Sequence, residues 1–263
     1  MLDDKTLPSI TSESLMTRFG TAAAPLLLDV RKAPAFEAAD RLIAGALRNA
    51  PAAWPSRAIV TYCVHGHEVS QGAAAALRVA GHDAAYLEGG ITHWIEAGLP
   101  TRAKAMHGAG KWITRERPKI DRIACPWLVR RFVDPLAEFL YAPTDRVFAV
   151  AAETGAVPYD IPGAEPFSHH GEMCSFDAFI AAYDLNDPAL LELARIVRGA
   201  DTARLDLTPQ SAGLLAVSLG LGANFSDDGA LLEQGMVVYD ALYAWCRSLR
   251  HETHNWVAPH VAN

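Results

Sequence analysis

Apolar positions in the first hundred residues fall in short runs between stretches of helical spacing. Pro25 to Val30 and Ala58 to Tyr62 are apolar without alternation, as strands buried on both faces of a parallel sheet are. Ala84 to Leu87 reads as a third strand. Between them the pattern predicts helices over Thr11 to Phe19, Pro34 to Asp40, Glu68 to Ala80 and Ile91 to Ala97, the last two stopped by Gly81 and Gly98. Strands alternating with helices predict an α/β domain with helices on both faces of a parallel sheet. Pro100 to Gly110 has no period and reads as a linker. Beyond it the chain is mainly helical. Helices are predicted over Pro126 to Val133 (Pro at the first position, Cys125 as cap), Arg146 to Glu153 and Phe176 to Tyr183 with Ser175 as cap. Others start at Asp187-Pro188 and Thr208-Pro209, and a long one runs from Asp228 to about Arg250. Glu138 to Tyr141 is the one strand expected there. The tail from His251 has no period.

Length and composition fit this division. The chain has 263 residues, 51% of them apolar, which suggests about two domains. The expected boundaries are 1–104, a linker at 105–110, a second domain at 111–250 and a tail at 251–263. No apolar run approaches the ~20 residues that cross a bilayer. The start, Met1-Leu2-Asp3-Asp4-Lys5, lacks the apolar core of a signal peptide, so a cytoplasmic location without membrane partners is expected. The net charge of −7 argues against general nucleic-acid binding. It is unevenly spread: Thr101 to Arg131 holds nine Lys or Arg against Glu116 and Asp121 alone, so that segment is +7 and the remainder −14.

Candidate chemistry begins at Val60 to Ser70. Cys63 closes a predicted strand, and a loop of Val64, His65, Gly66, His67 and Glu68 opens a predicted helix. Loop N–H groups and the positive end of a helix favour a thiolate and can hold an anion beside it. Cys63 is therefore a candidate nucleophile. The bland alternative is a small buried hydrophobe at a strand end, which the polar loop around it disfavours. The four cysteines, Cys63, Cys125, Cys174 and Cys246, show no paired spacing and suggest no disulfide framework.

The first half resembles the rhodanese family. Leu26 to Arg31 looks like its strand ending in Asp-x-Arg. Phe36-Glu37 and Ile43-Ala44-Gly45-Ala46-Leu47-Arg48-Asn49 look like its next landmark, Cys63 to Glu68 like its active-site loop, and Leu87-Glu88-Gly89-Gly90 with Trp94 like its closing segment. The resemblance covers about residues 8 to 103. It implies a rhodanese-like fold, a persulfide on Cys63, loop residues 64–68 supplying N–H groups, supporting roles for Asp29 and Arg31, and thiosulfate or a persulfide as sulfur donor. Many members carry Arg where Val64 stands, so charge stabilisation would fall to His65, His67 and the backbone. Val69 stands where related phosphatases carry Arg, which disfavours phosphate-ester hydrolysis.

In the second half His169, His170, Glu172 and Cys174 lie within six residues, just before a predicted helix. Imidazole and thiolate suit zinc or iron. A further ligand would come from Cys125, Asp121 or Asp201. The alternative is a polar loop with Cys174 packed inside. Arg115, Arg117, Lys119 and Arg122 offer an oxyanion site, Arg as a bidentate donor and Lys as a point charge, or else a solvated interdomain stretch. Cys125 beside Arg122 is a stabilised thiolate or a buried thiol; Cys246 is structural.

Lys111 to Phe132 resembles the start of the C-terminal domain of the chromate-resistance ChrB family. So do the His169 to Asp177 loop, Arg198 to Asp201 and Gly235 to Asp240. This resemblance covers about residues 110 to 247. It implies a mainly helical α+β domain and a link to chromate handling. ChrB-type proteins usually carry a different N-terminal region. The rhodanese-like half replaces it here, and with the acidic balance this argues against a DNA-binding role. Three functions follow: a sulfurtransferase coupled to a metal- or oxyanion-binding domain, a non-enzymatic chromate or metal sensor, or a thiol-based oxyanion reductase using Cys63 and Cys125.

Overall fold

Aliphatic runs in the first half pair where their alternation-free pattern requires two covered faces. A computed structural model describes residues 7–104 and 110–252. Strands β1 (Ser9–Ile10), β2 (Leu26–Asp29), β4 (Ile59–Tyr62) and β5 (Ala84–Leu87) form one parallel sheet in the order β1-β5-β4-β2. Every residue of β2 and β4 is buried. Helices α1 (Ser12–Met16), α2 (Ala33–Glu37), α3 (Glu68–Val79) and α4 (Gly90–Glu96) connect and cover the strands. Helix α3 forms from an Ala-rich stretch and stops at Gly81, whose φ of +92° a side chain would resist. Three short strands of the first half had no sequence signal: β1, and β3 (Arg41–Ile43) with β6 (Thr101–Ala103), which pair antiparallel. Thr101 to Ala103 was expected to open the linker. Of residues 105–110 only Gly110 is described, and of the tail only 251 and 252.

The second half is helix-rich around a small parallel sheet, β8-β7-β9, of β7 (Lys111–Arg115), β8 (Glu138–Ala142) and β9 (Val157–Pro158). Its helices are α5 (Asp121–Leu128), α6 (Val147–Thr154), α7 (Ser175–Ala182), α8 (Pro188–Asp201), α9 (Pro209–Asn224) and α10 (Asp228–Ala244). Helix α5 corrects the expected start at Pro126. It begins at Asp121, so Cys125 is internal and not a cap. Pro126 has no N–H for the carbonyl of Arg122. The Tyr159 hydroxyl donates to that carbonyl instead, at 3.3 Å. A π-helical turn, Val129–Val133, continues α5, and another, Trp245–Leu249, ends α10. The cap of α7 is Cys174, one residue before the expected Ser175, in a capping box with Asp177.

One apolar cluster spans both halves. Phe132 meets Phe19 edge-on at 5.7 Å and Tyr243 at 5.3 Å, while Phe19 also packs on Trp94 at 5.5 Å. Gly45 N–H donates to the Phe132 carbonyl at 2.6 Å, and a Cβ on Gly45 would lie 2.8 Å from the Arg131 oxygen. Arg247 donates to the carbonyls of Met16 and Phe19, and Arg41 pairs with Asp184. Phe132→Ala should cost about 3–5 kcal/mol of stability, the usual range for a buried Phe. With the core shared, calorimetry of the full chain should show one transition that moves as a whole. Two transitions, with only one displaced, would contradict a shared core.

Candidate functional sites

Cys63 follows the last residue of β4, and its loop runs directly into α3. Glycines set the loop's position. The Ile91 and Thr92 N–H groups donate to the carbonyls of Cys63 and Val64, both at 3.0 Å. A Cβ on Gly90 would lie 2.5 Å from the Cys63 oxygen, and one on Gly66 would lie 2.6 Å from the Leu87 oxygen. Gly66 and Gly90 also have φ of +75° and +59°. The Gly89-Gly90 segment therefore matters as the surface on which the cysteine loop is laced.

The loop turns its donors onto sulfur. Cys63 is 6% exposed, and its Sγ lies 3.2 Å from Ser70 Oγ. Burial alone would raise the thiol pKa. The Ser70 hydroxyl and the N–H groups of Ser70, His65 and His67 outweigh it and bring the pKa below the ordinary thiol value. A cavity of about 220 Å³ opens in front, lined by Arg31, Lys32, His65 and His67. Arg31 is fixed by a bidentate pair with Asp29, its Nη2 lying 2.6 Å from Asp29 Oδ2, and Tyr62 donates to the same carboxylate at 3.1 Å. Arg31 thus borders the cavity as one half of a buried ion pair, beside the two histidines and backbone to which sequence assigned charge stabilisation. Glu68 also lines the cavity, and no second-half residue does so among those described.

The expected metal ligands are only partly gathered. His169 Nε2 lies 3.2 Å from Asp201 Oδ2, 3.3 Å from Asp160 Oδ1 and 3.5 Å from Asp121 Oδ2. His170 is exposed, and its backbone bridges to Met173. Glu172 has an 85% exposed side chain paired with Arg204. Cys174 caps α7 and donates to Asp177 at 3.3 Å, and Asp177 is held bidentate by Arg198. Cys125 is buried in α5. Burial first, then the carboxylates nearby, push both of these thiols far up, so neither supplies the stabilised thiolate considered for Cys125.

Asp160 carried no signal of its own in the sequence. In the fold it follows the end of a parallel strand, where open α/β sheets present their ligand-binding groups. Its backbone φ is +51°. Ser175 donates to Oδ1 at 2.7 Å, and Arg115 to Oδ2 at 3.0 Å with Arg122 3.5 Å away. Burial would raise the Asp160 pKa, but bonds from His169 and Ser175 and the two guanidinium charges bring it down. Asp121 is pushed well up by burial and by Asp201 and Asp160. His169 is raised to about 9, chiefly by its bond to Asp160, against the cost of burial.

The expected oxyanion set divides. Arg115 and Arg122 address Asp160. Arg117 donates to the carbonyls of Gly222, Phe225 and Ser226 at the end of α9, and with the exposed Lys119 lines a different cavity, of about 390 Å³.

Comparison with known proteins places both halves. The family model of the ChrB C-terminal domain matches residues 112–246, and that of the rhodanese-like domain residues 11–97. Protein ChrB of Cupriavidus metallidurans is 32% identical over 165 residues, covering 62% of this chain and 49% of that protein. The chain thus spans about half the length of that curated relative. Among solved structures, a rhodanese-related protein from Thermoplasma volcanium is 29% identical over 36% of this chain and 96% of its own, with a TM-score of 0.30. A Bacillus halodurans protein is 21% identical over 36% of this chain and 75% of its own, also at 0.30. No described helix is long and apolar enough to cross a membrane.

Removing one donor to Sγ should be measurable. Ser70→Ala is expected to raise the Cys63 pKa, because it removes a hydroxyl donor to the thiolate. The pH profile of iodoacetamide alkylation reports it. An unchanged profile would mean that Ser70 does not hold the thiolate.

Proposed function

The chain belongs to the ChrB C-terminal domain family and carries a rhodanese-like domain before it, and from this premise we propose that it is a sulfurtransferase working through a persulfide on Cys63. The carrying observation is the convergence of the His65, His67 and Ser70 N–H groups and the Ser70 hydroxyl on Cys63 Sγ. A thiolate held this way attacks the outer sulfur of thiosulfate. The bond from that sulfur to the sulfonate breaks, sulfite leaves with the bonding pair, and Cys63 becomes a persulfide. The exposed Lys32 at the mouth attracts the dianion, and the loop amides hold the charge on the persulfide. An acceptor thiolate then takes the outer sulfur, becomes a persulfide itself and returns Cys63 as thiolate. A persulfide donor enters the same cycle and leaves as a thiolate.

This cycle needs no metal and no second cysteine. That favours it over an oxyanion reductase using Cys63 and Cys125, because Cys125 is buried and its thiol is held protonated. The association of the family with chromate handling supplies the setting proposed for this activity.

Sulfite release from thiosulfate with dithiothreitol as acceptor tests the reading. Release should be catalytic with the parent protein and absent with Cys63→Ala. Lys32→Ala should raise KM for thiosulfate about two- to fivefold with little change in kcat, as loss of one exposed charge does. Release that persists in Cys63→Ala would overturn the assignment.

A further inference from the structure

The densest chemistry that sulfur transfer leaves unused is the group around His169. Asp121 opens α5, Asp160 follows β9, His169 precedes α7 and Asp201 ends α8. Three carboxylates thus converge on one imidazole nitrogen, at 3.2–3.5 Å. A single Nε2–H points in one direction and serves one of them well. The arginines do not resolve the excess, because Arg115 and Arg122 both address Oδ2 of Asp160, and its Oδ1 faces His169 and Ser175. Asp121 supplies a second observation. Its side chain is fully buried, Oδ2 accepts from the N–H groups of Ser175 and Phe176, and Oδ1 has no hydrogen-bond partner. A buried carboxylate oxygen without a donor calls for a cation or a water.

We propose that Asp121, Asp160 and His169 form a site for a divalent cation of the Mn²⁺ or Fe²⁺ kind, bound by carboxylate oxygens and His169 Nε2, with the Asp201 carboxylate beside His169 adding negative charge. Ligand spacing fits. Octahedral bonds of about 2.1–2.4 Å place adjacent ligands about 3.0–3.4 Å apart and opposite ones about 4.2–4.8 Å apart. The ligating atoms of Asp121, Asp160 and His169 all lie within 4.8 Å of one another. Donor chemistry sets the class: carboxylates with one imidazole suit a harder ion than the thiolate-bound zinc that the Cys174 loop suggests by sequence. Cys174 is engaged with Asp177, and His170 and Glu172 lie outside the group. The His169 side chain is 44% exposed, which leaves that side of the cation open to water or a substrate oxygen.

Full-length protein stripped with chelator, then dialysed against micromolar MnCl₂ or, without oxygen, FeCl₂, tests the site by elemental analysis and Mn²⁺ EPR. One ion per chain is expected. His169→Ala and Asp160→Asn should each weaken binding at least about tenfold, and His170→Ala should leave it unchanged. His169 is partly exposed, so its variant should fold; circular dichroism checks this, and a Mn²⁺-dependent rise in melting temperature should appear in the parent and vanish in the variant. Failure to retain either ion, binding undiminished in both variants, or preferential zinc retention that depends on Cys125 and Cys174 would overturn the proposal.

Discussion

Phe132 sits where the two halves become one object. It lies at the π-helical turn ending α5, touches Phe19 and Tyr243, and gives its carbonyl to the Gly45 N–H. That bond requires a residue without Cβ at position 45, because the neighbouring Arg131 carbonyl occupies the space. The same turn carries Arg131 to Asp240, whose carboxylate also accepts from Trp127. Close packing of this kind resists small displacements. It therefore fixes the sheet that bears Cys63 relative to the helices that surround His169.

Both candidate sites obey the same rule of parallel sheets. Cys63 leaves the carboxyl end of β4, and Asp29 ends β2 beside it. Arg115 ends β7, and Asp160 follows β9. At these ends the chain leaves the ladder, backbone N–H groups become available, and polar side chains can be buried with partners. The first site uses that freedom to gather donors on a sulfur. The second gathers acceptors around an imidazole. Their electrostatics are opposite, in keeping with the anionic sulfur donor and the cation proposed for them.

The first site was legible because its chemistry is contiguous. Strand, Cys63, loop and Ala-rich helix follow one another, and the sequence carries a gradient from β-branched to helix-forming residues. The second site was legible only in part. His169, Asp201 and Asp121 stood out, but Asp160 sits between prolines after a two-residue strand that no periodicity could reveal. His170, Glu172 and Cys174 stood out equally, yet neighbours in sequence diverge when a loop alternates direction. The fold shows the same division. Long apolar runs predicted the main sheet, whereas β3 and β6 are too short to carry a pattern. Pro126 suggested a helix start because the tertiary donor from Tyr159 that tolerates it inside α5 is distant in sequence.

The claim that bears most weight is that Cys63 carries transferable sulfur. Intact mass of the parent protein and of Cys63→Ala after incubation with thiosulfate, without any acceptor, addresses it directly. The account predicts a gain of one sulfur atom in the parent, reversed by a reducing thiol, and no gain in the variant. An unmodified parent, or an equal gain in both proteins, would contradict it.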